Sequence, residues 1–389
     1  MRLTDAVVTT ASIRSPIRNA VVGFDEMTVS VVALITDHVR NGERLTGYGF
    51  TSNGRYAVTG PLKERFVPRL LHAEPDELLA SDGSNFDPER AWQVMMRAEK
   101  PGGHGDRAHA VGVLDMALWD LVAKVEGRPL YRVLADRYRG GTADERVFVY
   151  AAGGYYAPGK DVAALQDECQ SYIDMGFTTV KMKIGGEPLP VDLRRIEGVL
   201  AILDRPDQLA VDANARYGRE EAREVAAALQ PYGLRWYEEP VDPLDYHGLS
   251  AVAAEYEGAL ATGENLFSAR DVENLLRFGG LRPDRDILQF DLALSYGVVE
   301  YVRILAVLDE LGWDRRRCIP HGGHQAAIHA AAGLGLGGNE IYPGVFEPFG
   351  LLPDESAVVD GYVRPTEAPG IGFEQIDQLY AVLREAAHS

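Results

Sequence analysis

Seven ionisable residues stand in this chain at intervals where strand-like runs would ordinarily carry apolar side chains: Lys181, Lys183, Asp212, Glu238, Glu264, Asp291 and His321. Asp212, Glu238 and Glu264 are evenly 26 residues apart. Placed at equivalent points of three successive strands, three carboxylates meet at one rim, and unpaired they repel strongly in a partly dry pocket. A divalent cation removes that repulsion, and an all-oxygen ligand set without Cys or His favours Mg²⁺. The competing reading pairs the carboxylates with lysines or arginines from the loops. Lys181 and Lys183, two apart on a strand, project to the same side. Two ammonium groups so close lower each other's pKa, which leaves one neutral as a base. Asp291 beside His321 fixes the imidazole tautomer and favours its charged form, as a general acid requires. A lysine base facing a histidine acid, with a cation between them, suits removal of a proton next to a carboxylate. The enediolate charge that develops is then met by fixed positive groups.

Such convergence demands a scaffold that brings many strand ends together. From Val147 onward short apolar runs alternate with longer amphipathic ones. The expected strands are Val147–Ala151, Thr178–Ile184, Gln208–Ala213, Arg235–Glu239, Leu260–Glu264, Asp286–Leu292, Arg317–His321 and Asn339–Tyr342. Their spacing is one strand plus one crossover helix, and eight such units read as a closed parallel barrel, whose chemistry lies at the C-terminal strand ends. On this count the lysines are on the second strand, the carboxylates on the third to fifth and His321 on the seventh. A doubly wound sheet is the alternative, and its nucleotide fingerprint is missing. Gly333 to Gly338 fits the G-x-G-x-x-G spacing but follows a helical segment and precedes a strand, the reverse of what pyrophosphate binding needs.

Before the barrel, strand-like runs at Thr28–Thr36 and Glu43–Thr51 mix with helices. Arg107–Glu126 carries apolar residues at helical spacing and stops at Gly127-Arg128-Pro129. The division expected is an α+β capping domain over 1–140, completed by 353–389, and a barrel over 141–352. The closing segment ends in a helix near Phe373–Ala387 that packs back on the cap.

The composition agrees with a soluble enzyme: 389 residues, 46% hydrophobic and 25% charged. A net charge of −19 disfavours nucleic acid and anionic membrane as partners. Two cysteines, Cys169 and Cys318, cannot build a disulfide framework, and no apolar run approaches a membrane span. With no apolar signal core at the start, the expectation is a cytoplasmic protein.

Six short motifs in order then resemble the enolase superfamily, in its mandelate racemase-like group. They are Val180-Lys181-Met182-Lys183, Val211-Asp212-Ala213-Asn214, Trp236-Tyr237-Glu238-Glu239-Pro240, Thr262-Gly263-Glu264-Asn265, Gln289-Phe290-Asp291 and Pro320-His321-Gly322-Gly323-His324. Enolase-type sites are themselves the known example of a Lys or His base working with magnesium. The resemblance implies a modified (β/α)₇β TIM barrel under an α+β cap, with Asp212, Glu238 and Glu264 as Mg²⁺ ligands. It implies Lys183 as the base that takes the α-proton, Lys181 on the substrate carboxylate, and His321 with Asp291 as the acid/base dyad. Glu340 matches an acidic group that hydrogen-bonds the substrate carboxylate, and Asn214 joins the substrate-binding residues. A homo-oligomer is the usual assembly of this group.

Glu99 to Gly105, Tyr150 to Tyr156 and Pro320 to Gln325 resemble the D-tartrate dehydratases of that superfamily, which implies a small hydroxy-diacid substrate and loss of water to give oxaloacetate. Asn53 and Arg55, in a cap loop, match the place where this group sets specificity, and an arginine there binds a distal carboxylate bidentately. Lys100 and His104, in a glycine-rich stretch, are candidates to reach the substrate, or else belong to a solvated loop. The alternatives are dehydration of another acid sugar, racemisation or epimerisation of a 2-hydroxy acid, and a non-catalytic metal-binding barrel.

Overall fold

The computed structural model describes residues 1–353 and 356–388; residues 354, 355 and 389 of the expected C-terminal segment lie outside the described residues. The chain opens with an antiparallel sheet of β1 (Leu3–Ser12), β2 (Thr28–Arg40) and β3 (Glu43–Phe50), in the order β1-β2-β3. The central strand is buried on both faces from Val29 to Leu34. The long helix Arg107–Glu126 lies against β3 and is buried from Ala108 to Lys124. It can approach so closely because β3 carries glycines: a Cβ on Gly47 would stand 2.2 Å from the Ala117 carbonyl, and one on Gly49 2.3 Å from that of Val113. The helix ends at Gly127 in the left-handed conformation, φ 68°, as its sequence predicts.

The second body is a parallel array. It comprises β4 (Val147–Ala152), β5 (Val180–Lys183), β6 (Leu209–Asp212), β7 (Tyr237–Glu238), β8 (Leu260–Thr262), β9 (Ile287–Leu288) and β10 (Asn339–Ile341). Neighbours pair in sequence order, and β10 returns to pair with β4. A helix separates each strand position from the next, so the fold is a modified (β/α)₇β TIM barrel with an antiparallel cap.

One expected strand is largely missing. Arg317–His321 forms only a bridge from Cys318 to Leu288, and Arg317 belongs to a 3₁₀ turn over Arg315–Arg317. The segment still closes the ring: Ile319 N donates to Leu288 O at 2.9 Å and Glu340 N to Pro320 O at 3.2 Å. Pro320 has no N–H to donate, so the ladder cannot run on. Other strands are also shorter than their apolar runs, because the barrel needs only a few ladder bonds before the chain turns into the loops.

After the barrel, β11 (Tyr362–Val363) pairs antiparallel with β4. The closing helix runs Asp377–His388 behind a 3₁₀ turn, Phe373–Gln375, and rests on β1 and β2 of the cap. Among the described residues no helix is long and apolar enough to cross a membrane.

Candidate active site

The charged residues gather at the C-terminal strand ends. Lys183 and Asp212 are direct register partners, as are Asp212 and Glu238. Glu264 departs from the expected equivalence: Glu238 is level with Ala261, and Glu264 stands three residues further on, beyond the end of β8. The equal spacing in sequence does not survive as equal height, because pairing around a closed barrel is staggered. The chain turns at Gly263, φ 127°, and the three carboxylates still offer oxygens that all lie within 4.8 Å of one another.

The two lysines point into the barrel and are almost wholly buried. Lys183 Nζ donates to Asp212 Oδ2, and its ammonium lies 5.1 Å from the centre of the Tyr155 ring. Lys181 Nζ reaches Glu238 Oε1 at 2.7 Å, Glu340 Oε1 at 2.6 Å and Asp212 Oδ2 at 3.5 Å. This corrects the expectation of mutually lowered lysine pKa values. Burial opposes their charge, but the facing carboxylates outweigh both burial and the neighbouring ammonium, so both lysines are pushed up.

The lysines do not neutralise the whole cluster. Glu238 is pushed up to about 8 by burial and by Asp212, despite Lys181. Glu239 is raised well above the carboxylate range by burial and by Glu264. Among the described residues Glu264 has only longer contacts to cations, 3.8 Å to Arg55 and 3.5 Å to His321. A pocket with more carboxylate than adjacent positive charge, all of its donors oxygen, fits a divalent cation held by Asp212, Glu238 and Glu264.

His321 donates from or accepts at Nδ1 with Asp291 Oδ2, 2.9 Å away. Its burial favours the neutral ring, yet Glu264, the Asp291 hydrogen bond and Glu340 together raise its pKa to about 9. Nε2 faces Glu264 at 3.5 Å and Glu340 at 3.9 Å. Lys183 and His321 line one cavity of about 380 Å³, together with Asn53, Arg55, Asn214, Glu239, Glu264, Tyr155 and Tyr342.

The cap supplies the roof. Asn53 donates to Gly322 O at 3.2 Å, and Arg55 donates to Asn265 Oδ1 beside Glu264. Asn214 hydrogen-bonds Asp212 through its backbone and side chain, while its Oδ1 is buried and has no hydrogen-bond partner among the described residues. Lys181 and Glu340 form a buried ion pair, and Tyr342 donates to Glu340 Oε2 at 2.7 Å. Lys100 is not brought to the cavity. It is exposed, and its carbonyl is held by Arg107 at 2.8 Å. His104 is likewise engaged elsewhere, between Tyr296 and Asp271, each at 2.9 Å.

Sequence reasoning gave no role to Glu239 or Ser52. Glu239 follows a strand residue that points inward, which ordinarily sends it outward. The strand has ended, however, and φ 41° at Glu239 turns it to line the cavity, where Asn265 donates to it at 2.7 Å. Ser52 donates to Asp291 at 2.6 Å across 239 residues of chain, a contact with no local signature.

The family models match two parts of the chain: the mandelate racemase / muconate lactonizing enzyme N-terminal domain over residues 3–135, and the enolase C-terminal domain-like model over residues 164–378. The chain belongs to the enolase superfamily. Within the superfamily it is similar to the arabinonate dehydratase of Saccharolobus solfataricus, 28% identical over 93% of this chain and 92% of that protein. It is 30% identical to the 3,6-anhydro-alpha-L-galactonate cycloisomerase of Streptomyces coelicolor, over 89% of this chain and 91% of that one. Among solved structures, a Streptomyces coelicolor racemase with bound magnesium superposes with a TM-score of 0.77 at 26% identity, covering 96% of this chain and 98% of that one. Magnesium in that racemase structure agrees with the buried acidic triad here.

Proposed function

We propose that this enolase-superfamily member is a magnesium-dependent dehydratase of a small hydroxy-diacid, with D-tartrate as the substrate. The observation that carries the reading is the shared cavity of Lys183 and His321 beside the acidic triad. Their backbone segments are separated around the barrel by β4 and β10 on one side and by β6 to β9 on the other. A proton can therefore leave one part of a bound acid while another is delivered elsewhere on it.

Asp212, Glu238 and Glu264 would hold Mg²⁺, which when bound would supply positive charge for the developing enediolate and lower the pKa of Lys183. Lys183, as its free amine, takes the C2 proton. The electron pair left at C2 spreads onto the carboxylate oxygens, a charge that the ammonium of Lys181, buried among Asp212, Glu238 and Glu340, would favour. Charged His321, oriented by Asp291, protonates the C3 hydroxyl as its bond breaks, and water leaves. The enol that remains tautomerises to oxaloacetate. Arg55, on the cap side of the cavity, suits the second carboxylate of a diacid.

Racemisation of a 2-hydroxy acid is the second reading, supported by the likeness to the Streptomyces coelicolor racemase. One experiment separates the two. The enzyme with Mg²⁺ is given D-, L- and meso-tartrate, arabinonate and galactarate in heavy water, and keto product and α-deuterium are measured. Oxaloacetate from D-tartrate alone, lost in Lys183→Ala and His321→Asn, is the expected result. Deuterium at the α-carbon without keto product overturns dehydration, and keto product only from the longer acids overturns D-tartrate.

A further inference from the structure

The loops beside Lys183 hold a buried polar group that the chemistry above does not use. Asp192 and Arg195 lie one turn apart on the helix Leu189–Leu200 that follows β5, and Tyr156 follows β4. All three are buried. Arg195 Nη1 donates to the Lys183 carbonyl and to Asp192 Oδ1, both at 2.8 Å, and Nη2 donates to the Gly154 carbonyl at 2.7 Å. Its guanidinium lies 4.0 Å from the centre of the Tyr156 ring.

The ladder explains why an arginine is needed there. On the β4 side the Lys181 carbonyl accepts from Gly153 N at 2.9 Å. The Lys183 carbonyl, two residues on, faces the same way, but the β4 chain has already turned off and offers no further N–H. Arg195 takes the place of the missing strand and ties the end of β5 to the end of β4.

Tyr156 completes the arrangement. Its hydroxyl donates to Asp192 Oδ1 at 2.7 Å and accepts from Gly186 N at 3.0 Å, while Asp192 Oδ2 accepts from Gly185 N at 2.7 Å. A Cβ on Gly186 would stand 2.3 Å from the Tyr156 ring, so the turn after Lys183 is pressed flat against it. The Tyr156 backbone in turn pairs with Arg18 of the cap, at 2.8 and 2.9 Å. The cap segment just beyond Arg18 lines the catalytic cavity through Asn19, Val22 and Phe24.

We propose that Tyr156, Asp192 and Arg195 are positioning residues that hold Lys183 at the height required for proton abstraction, and register the cap segment 18–24 against it. The inference rests on Lys183 being the base. A planar, fivefold donor suits the task, since one side chain must meet two carbonyls and a carboxylate at fixed angles. Small displacements of a reacting group cost rate steeply, up to about a hundredfold for an ångström.

The test uses the full-length enzyme with Mg²⁺ and the acid that it turns over, beside Lys183→Ala. Tyr156→Phe keeps the ring against Arg195 and removes both hydroxyl bonds. The expected result is a fall in kcat of about tenfold, KM within about twofold, and a larger primary isotope effect with α-deuterated substrate. Arg195→Lys should keep more activity than Arg195→Met, at equal folded protein by circular dichroism. A lower melting temperature with unchanged kcat and isotope effect overturns the proposal and leaves the trio structural. If Lys183→Ala keeps its turnover, the base assignment fails, whatever Tyr156→Phe does. If Lys183→Ala is inactive and Tyr156→Phe is normal, the clamp alone fails.

Discussion

Ser52 of the cap donates its hydroxyl to Asp291 Oδ2 at 2.6 Å, the same oxygen that meets His321 Nδ1 at 2.9 Å. His324 Nε2 lies 3.5 Å from the other oxygen. Burial alone would raise the Asp291 carboxyl, but the two histidines outweigh it and hold it well below the usual carboxylate range. Cap and barrel therefore share one anchored carboxylate, and the orientation of the His321 ring depends on a residue from the other body. Ser52→Ala removes a buried hydrogen bond to a charged acceptor, an effect of about 1.5–3 kcal/mol. Denaturant unfolding should show that loss, and turnover should fall severalfold with KM little changed.

Metal removal should act on stability as well as on rate. The three carboxylates crowd one another without a cation, so chelation should abolish turnover, and adding Mg²⁺ should restore it. Bound ligand stabilises the folded state by about 2.7 kcal/mol at a hundredfold excess over Kd, so Mg²⁺ should raise the Tm of the wild type. In Glu264→Gln or Asp212→Asn most of that rise should vanish; a full rise in both variants would count against the triad as the site.

Arg55 tests the diacid reading. It is the cap's arginine in the cavity, while Lys100 stands outside it. Arg55→Met should raise KM for a diacid by roughly ten- to a hundredfold, the scale of a lost charge-assisted bond. A monoacid of the same length should be hardly affected. Equal losses for both would assign Arg55 to the roof around Asn265 and not to the substrate.

His329 predicts the acid limb of stability. Its ring is fully buried, Nδ1 accepts from Tyr131 N at 3.1 Å, and burial lowers its pKa to about 4. In the unfolded chain the ring titrates near its ordinary value of about 6.5. Between those values the unfolded state binds a proton that the folded state refuses, so stability falls as pH drops through that window. No stability is lost above about pH 6.5, and the loss grows to on the order of 3 kcal/mol by pH 4. Unfolding free energies at pH 7 and pH 5 should differ by less in His329→Asn than in the wild type.

Much of the site was legible because it is written locally. Charged residues at the ends of short apolar runs, spaced by one strand and one helix, pointed to a barrel and to the lysines, the carboxylate triad and His321. Alternation with a period of two placed Lys181 and Lys183 on one side, and both are indeed inside. The helix Arg107–Glu126 and its glycine stop were equally plain, since propensity and capping act within a few residues.

What tertiary structure alone decided lies where distant segments meet. Stagger around the barrel moved Glu264 three residues past its expected level. Facing carboxylates reversed the expected pKa shift of the lysines. Cap docking brought Asn53 and Arg55 to the cavity and Ser52 to Asp291 but left Lys100 and His104 outside the cavity, although all five stand in turn-rich loops. The Tyr156, Asp192 and Arg195 clamp joins the cap, a strand end and a crossover helix. A periodic pattern records which face of its own element a residue occupies. It carries no record of which remote element closes over that face, because such contacts depend on packing between bodies and leave no local repeat.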